Sequence, residues 1–355
     1  MKKTICVSII VPVSSTQAEV QRCMSSLFGQ TLEEIEIILI DHKTMNQNTT
    51  LYEEYCRYDP RVQVLYSEKD GLHELLNKGL KAATGETVLF IHSKDWIEKE
   101  MAEEMYYNTE LNRVDLAVCE VTTDDSNLQT KTSRSSNWNS TFLGRKNIVN
   151  AILKFDKEKQ LHHIWNKMYR RTLIEDNQLL LLNEEITGYY LFFNIAYLRK
   201  VTGITFTPNK YYHYHEQNEL DSEPRYCERL YQQMQYYNIA RKQLYYYYHM
   251  NTEEQLRVYA STYMRYIFNC LALLYKKDQA IPKKDKLNFF RRVLDNQEIK
   301  RQAEAIAISS FEARFLVGLY RWDNTELMYW LYLLFFKLKR YLYSQKVKEK
   351  NNDLW

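Results

Sequence analysis

Glycine and proline are scarce in this chain of 355 residues, which carries only 8 and 5 of them. That shortage excludes collagen-like and Gly/Pro-rich low-complexity architectures and leaves few flexible linkers. The six cysteines, Cys6, Cys23, Cys56, Cys119, Cys227 and Cys270, are scattered, with no Cys-x-x-Cys pair. Clusters of metal-binding thiols and a disulfide framework are therefore disfavoured, and a reducing cytoplasm fits best. Charge of one sign is also lacking. The net charge is +3, and no Lys/Arg run interleaved with aromatics forms a nucleic-acid module, so no nucleic acid is expected as a partner. Met1-Lys2-Lys3 and the apolar stretch Ile5 to Val13 resemble a signal peptide only superficially, because Pro12 interrupts the stretch and a small-residue cleavage site is missing. We read it as a first buried strand.

What is abundant is tyrosine, with 30 residues, in a chain that is 45% hydrophobic and 26% charged. Such a chain can bury a core. Its tyrosines point to amphipathic aromatics at interfaces or at a membrane surface. Domains cluster near ~100–200 residues, so two units are expected, residues 1–220 and 221–355.

Short runs rich in Val, Ile and Leu, namely Ile5 to Val13, Ile35 to Asp41, Val62 to Ser67, Thr87 to His92 and Val114 to Val121, alternate with helical patterns. The helical stretches are Ala18 to Phe28, Leu51 to Arg57, Leu72 to Ala83 and Lys99 to Leu111. This alternation predicts an α/β fold with a doubly wound, mostly parallel sheet flanked by helices. Its ligand crevice lies beyond the carboxyl ends of the strands. From about Leu143 the pattern turns helical, with one strand-like piece near Ile204 to Phe206. After Arg225 it reads as successive helices dense in Tyr and Leu, punctuated at Pro282 and Asp323-Asn324.

Five motifs then occur in order: Val7-Ser8-Ile9-Ile10-Val11-Pro12-Val13; Ser26-Leu27-Phe28-Gly29-Gln30-Thr31; Ile35-Glu36-Ile37-Ile38-Leu39-Ile40-Asp41; Ala83-Thr84-Gly85-Glu86 leading to Phe90-Ile91-His92-Ser93-Lys94-Asp95-Trp96; and Trp165-Asn166-Lys167-Met168-Tyr169-Arg170-Arg171. Together they resemble the family 2 glycosyltransferases of the GT-A fold, over roughly the first 215 residues. The resemblance implies nucleotide-site positions at Pro12, Val13, Asp41, His42, Lys69, Leu76, His92 and Lys94. It implies acceptor-side positions at Trp165, Asn166, Lys167, Tyr189 and Tyr190. It also implies bacterial surface-polysaccharide assembly on the cytosolic face of the membrane.

The chemistry of that family needs a divalent ion on an Asp-x-Asp pair to offset the charge of the leaving diphosphate, and a carboxylate base for the acceptor hydroxyl. Where relatives carry Asp-Ser-Asp-Asp-Trp, this chain has His92-Ser93-Lys94-Asp95-Trp96. An ammonium repels a cation and imidazole is a poor partner for a hard one, so the usual Mg/Mn site is expected to be absent, with no cofactor. Asp41-His42-Lys43-Thr44 keeps one carboxylate of two, and the family's arginine is replaced by Leu76. Gly188-Tyr189-Tyr190 stands where a Gly-Glu-Asp base segment is usual, and a phenol titrates near ~10. The candidate bases left are Asp95, Glu184 and Glu185, the two glutamates only after a shift of register.

Two readings follow. One is a pseudo-glycosyltransferase that binds or scaffolds an active glycosyltransferase or a glycan acceptor. The other is a metal-free transferase in which Lys94, with Lys69 or Lys43, neutralises the diphosphate. A separate hypothesis joins His42, His73 and His92, each beyond a strand's carboxyl end, as zinc ligands. The pairs His162-His163 and His213-x-His215 are read as packing the acceptor side. Finally, Leu327 to Phe336 is apolar and aromatic and runs into Lys337, Lys339, Arg340, Lys346, Lys348 and Lys350. That apolar part is shorter than the ~20 residues of a spanning helix, so 327–350 reads either as a peripheral contact with the inner face of the cell membrane or as a packed helix with a solvated basic end.

Overall fold

The computed structural model describes residues 4–42, 49–69, 71–124, 130–131, 139–158, 160–182, 189–215, 226–274, 281–320 and 324–352. The chain divides into one unit of residues 1–217 with 240–249 and another of residues 218–239 with 250–355.

In the first unit the strands β1 (Val7–Pro12), β2 (Ile35–His42), β3 (Val62–Ser67) and β4 (Thr87–Phe90) alternate with the helices α1 (Gln17–Phe28), α2 (Thr49–Tyr58) and α3 (Leu72–Ala82). β1 pairs in parallel with β2 and β4, and β2 with β3. All six residues of β1 are buried, as they must be in a strand covered on both faces. Helix α1 begins at a reciprocal cap: Glu19 N–H donates to Thr16 Oγ1 at 3.4 Å and Thr16 N–H to Glu19 Oε2 at 2.8 Å. Gly85 brings the turn before β4 against β1. Its N–H donates to Ser8 Oγ at 2.8 Å while Ser8 donates to Glu36 Oε1 at 2.6 Å.

The remaining elements of this unit are β5 (Trp96–Ile97), α4 (Met101–Leu111), β6 (Leu116–Asp124), β7 (Thr130–Lys131), β8 (Ser140–Leu143), α5 (Arg145–Lys157), β9 (Lys167–Arg170), α6 (Arg171–Asp176), α7 (Tyr189–Leu198) and β10 (Gly203–His215). The sheet runs β3-β2-β1-β4-β9-β6-β10-β5, with β7 on β6 and β8 on β10. Most of its residue pairs are parallel, although β9 sits antiparallel between β4 and β6.

Two strands depart from the helical reading of residues beyond Leu143, and a third lies just before it. β8 ends at Leu143, β9 lies inside the acceptor-side motif, and the short piece at Ile204 to Phe206 grows into the 13-residue β10. β10 extends because its second half alternates Tyr212, His213, Tyr214 and His215, so polar tips hid a period of two that bulges at Thr207 to Tyr212 further obscure.

In the second unit, residues of α8 (Tyr226–Tyr247) before 240 accompany α9 (Glu253–Leu273), α10 (Lys283–Leu294), α11 (Gln297–Ile306), α12 (Phe311–Leu319) and α13 (Thr325–Asn352). Its core includes Met264, Ile267, Leu271, Phe290, Val293, Ile299 and Leu316. Pro282 caps α10 and Asn324 Oδ1 accepts from Leu327 N–H at 2.9 Å, so both punctuation points open helices.

The tyrosines serve the interior more than the surface expectation allowed. Tyr52, Tyr169, Tyr197, Tyr212 and Tyr263 are all but fully buried, each with its hydroxyl on an internal acceptor. A phenol buries a large ring while satisfying one polar tip.

Candidate functional site

The crevice expected beyond the strand ends lies where β1 and β4 end and β9 begins. The segment after β4 folds back there, with Asp95 N–H donating to the His92 carbonyl at 2.9 Å. Ser93 ties this segment to the end of β1, accepting from Ser14 N–H at 3.1 Å and lying 2.8 Å from Ser15 Oγ. From the α1 side, an Arg22 guanidinium N–H donates to the Lys94 carbonyl. The loop is thus held from both flanks.

His92 is spent inside this arrangement. Its Nδ1 accepts from Lys94 N–H at 3.3 Å, which leaves the Nε2 proton for Ser14 Oγ, also at 3.3 Å. Its ring stands edge-on to Trp165 at 5.4 Å, and Trp165 meets Tyr190 at 4.8 Å. Burial pushes the imidazole down to about 4, with the Lys94 ammonium adding to the effect, so His92 is neutral near pH 7.

Asp95 is completely buried. Its carboxylate accepts from Tyr212 O–H at 2.5 Å and from His215 N–H at 2.9 Å. Burial nevertheless pushes it up to about 6, against the opposing pull of those two donors. Lys94 Nζ lies 5.4 Å from the Tyr214 ring centre, a cation–π contact. His213 stacks on Trp96 at 3.4 Å and meets Glu98 Oε1 at 2.8 Å, whereas His215 lies toward Glu19 at 4.0 Å. These two histidines pack beside the β4 loop, not on the acceptor side.

Other positions predicted from the motifs make contacts of their own. Asp41 is pinned by Tyr52 O–H at 2.8 Å and by His42 N–H at 2.7 Å. Lys69 is exposed, 3.5 Å from Glu74, on an open cleft of about 990 Å³ that Tyr66, Asn77 and Lys78 also line. Leu76 is fully buried in α3. Pro12 closes β1, and Val13 N–H donates to the Ile40 carbonyl at 2.8 Å. Asn166 and Lys167 are buried and fix their own loop. Asn166 donates to the Cys119 carbonyl at 2.8 Å, and Lys167 donates to the His163 carbonyl at 2.6 Å and Asn166 Oδ1 at 2.9 Å. Desolvation pushes the Lys167 amine down to about 7. Lys43, Glu184, Glu185 and the side chain of Tyr189 lie outside the described residues.

The divalent ion of the family takes oxygen ligands from a carboxylate pair. At the two positions of its carboxylate pair stand a neutral imidazole with both nitrogens engaged and an ammonium, while the neighbouring Asp95 carboxylate is turned to Tyr212 and His215. Nor does the structure bring His42, His73 and His92 together. His73 lies 3.7 Å from Glu74, His92 is held by Ser14 and Trp165, and among the described residues no three His, Cys, Asp or Glu side chains form a metal-holding group.

Sequence reasoning missed Tyr212, Tyr214, Ser14 and Arg22. The alternation of Tyr and His over residues 211–215 was the one available signal, since it marks a strand whose two faces carry different polar aromatics.

The model of glycosyl transferase family 2 matches residues 8–177. Those residues, just under half of the chain, are similar to that family. The putative glycosyltransferase EpsH of Bacillus subtilis (strain 168) is 32% identical over 179 residues, 50% of each chain. The uncharacterized glycosyltransferase EpsJ of the same organism is 27% identical over 233 residues, 64% of this chain and 67% of that one. The chain thus spans half the length of the first of these relatives. The crystal structure of S. aureus TarS 1-349 in complex with UDP-GlcNAc superposes with a TM-score of 0.60 at 18% identity, covering 89% of this chain and 91% of that one, a likeness of fold.

Proposed function

We propose that this family 2 glycosyltransferase domain is a pseudo-glycosyltransferase of bacterial surface-polysaccharide assembly, which binds or scaffolds an active transferase or a glycan acceptor and performs no metal-dependent transfer. One observation carries the reading: His92 and Lys94 stand at the positions of the metal-holding pair, and the carboxylate next to them, Asp95, is buried against Tyr212. Without a divalent ion, the charge that develops on a leaving diphosphate has no counterpart of the usual strength. The Ser14 to Ser93 ties and the His92–Trp165–Tyr190 stack keep the crevice ordered all the same, which is what a binding role requires.

Lys94 supports a second reading, metal-free transfer, because its ammonium sits over Tyr214 at the position of a metal ligand. Calorimetric titration with UDP-sugars, with and without Mn²⁺, tests both. The pseudoenzyme reading expects no Mn²⁺-dependent saturation and no product, with an active transferase recovered alongside the chain from its native cell. Saturable Mn²⁺-stimulated transfer overturns it. Saturation without metal, together with turnover lost in Lys94→Ala, selects the second reading instead.

A further inference from the structure

Helix α13 is apolar on two opposite faces. Met328, Tyr329 and Tyr332 are buried, with Tyr329 and Tyr332 each 5.5 Å from the ring of Phe290 in α10. The other face, at spacings of three and four residues, carries Leu327, Trp330, Leu334 and Leu338, which are 39%, 54%, 64% and 57% exposed. Phe311 of α12, 68% exposed, widens this stripe through its ring contact with Phe335 at 5.6 Å. An amphipathic helix needs one apolar face to pack, so the second calls for a different partner.

The charges around the stripe identify that partner. Lys283 Nζ lies 5.7 Å from the Trp330 ring centre, where it is paired with Glu326, and Lys337 is exposed between Leu334 and Leu338 in the sequence. The same helix continues in sequence with Lys339, Arg340, Lys346, Lys348 and Lys350 against the single acid Glu349. Pairing with a second copy would set two such basic segments near each other, whereas an anionic surface attracts them. No helix among the described residues is long and apolar enough to cross a membrane. We infer that α13 seats its outer stripe in the surface of an anionic lipid bilayer, lying in the plane with Trp330 at the acyl boundary and the basic residues on the headgroups. The inference depends on no residue of the β4 loop, so it stands or falls apart from the reading of the crevice.

The test is flotation of the full chain with vesicles of phosphatidylglycerol and phosphatidylcholine, against phosphatidylcholine alone. Flotation with the anionic vesicles only, weakened by salt and accompanied by a blue shift of tryptophan emission that Trp330→Phe reduces, is expected. Leu334→Glu/Leu338→Glu and, separately, Lys337→Glu/Lys339→Glu/Arg340→Glu are each expected to lower the partition coefficient at least about tenfold. Circular dichroism of both variants at the wild-type level shows that the fold is kept, since Leu334, Lys337 and Leu338 are exposed. Failure of the wild-type chain to float, undiminished flotation of the stripe variant, or a dimer in light scattering that the stripe variant dissociates without any vesicle binding would each overturn the inference.

Discussion

The hydroxyl of Tyr212 donates to the carboxylate of Asp95 at 2.5 Å, joining the second half of β10 to the loop that follows β4. The bond gives Asp95 a structural contact whose other half is the His215 N–H. Burial still holds the carboxyl up to about 6, well above its ordinary 3.8. A raised carboxyl binds its proton more tightly in the folded chain, so its contribution to stability is favourable below about pH 4 and is withdrawn as pH rises through 6. Replacing Asp95 by Asn removes that withdrawal. Relative to wild type, Asp95→Asn is expected to gain on the order of 2 kcal/mol between pH 4 and pH 7.5. Denaturant melts at the two pH values check this, and a difference that does not change with pH refutes it.

His92 has the opposite sign. Its folded pKa of about 4 lies below the ordinary 6.5, so the folded chain resists protonation and loses stability as pH falls from 6.5 toward 4. His92→Phe keeps a ring against Trp165 and removes the titration. The variant is expected to lose about 2–3 kcal/mol less than wild type over that range. Thermal melts between pH 4.5 and 7 read the effect. Because the two groups act in opposite directions over pH 4 to 6, the wild-type profile is flatter there than that of either variant.

A metal site should be recoverable by charge. His92→Asp/Lys94→Asp restores the carboxylate pair at the loop that Ser93 and Arg22 hold in place. Mn²⁺ is expected to raise the melting temperature of this variant by a few degrees at saturation, as a ligand that binds only the folded state must. No response from the variant would show that the loop geometry, and not the lost carboxylates alone, bars the ion.

The buried pair Arg241 and Asp156 anchors residues 240–249 within the first unit. Asp156 accepts two bonds from the guanidinium, at 2.7 and 2.5 Å, and one from Tyr245 O–H at 2.9 Å, and both charged residues are at most 2% exposed. Breaking one partner strands a charge, so Asp156→Ala is expected to cost about 3–5 kcal/mol, and Asp156→Leu/Arg241→Met much less. Chemical denaturation of the three proteins checks the ranking. Equal losses in single and double variants would contradict it.

Gly85 gives a test of the motif before β4. A Cβ there would lie 2.6 Å from the Ser8 backbone nitrogen and 2.8 Å from the Val7 carbonyl carbon. Backbone cannot yield as a side chain can, so Gly85→Ala is expected to destabilise by roughly 1–3 kcal/mol. A thermal melt within a degree of wild type would refute the steric reading.

By itself the sequence determined the four parallel strands β1 to β4, because the inner strands β1, β2 and β4 are largely apolar, the edge strand β3 keeps Val62 and Val64 in alternation with Gln63, and the intervening helices carry a 3.6-residue stripe. Ordered motifs carried the resemblance to glycosyl transferase family 2, and residue identity alone put an imidazole and an ammonium, His92 and Lys94, where that resemblance expects carboxylates. The sequence did not determine β9 or the length of β10, where pairing depends on partners distant in the chain and polar tips mask the alternation. Only tertiary structure decided that Asp95 points to Tyr212, that Leu76 and Lys167 are buried, and that His42, His73 and His92 do not converge. Side-chain direction beyond a strand's end depends on the loop's backbone path and on what packs against it, neither of which local composition encodes.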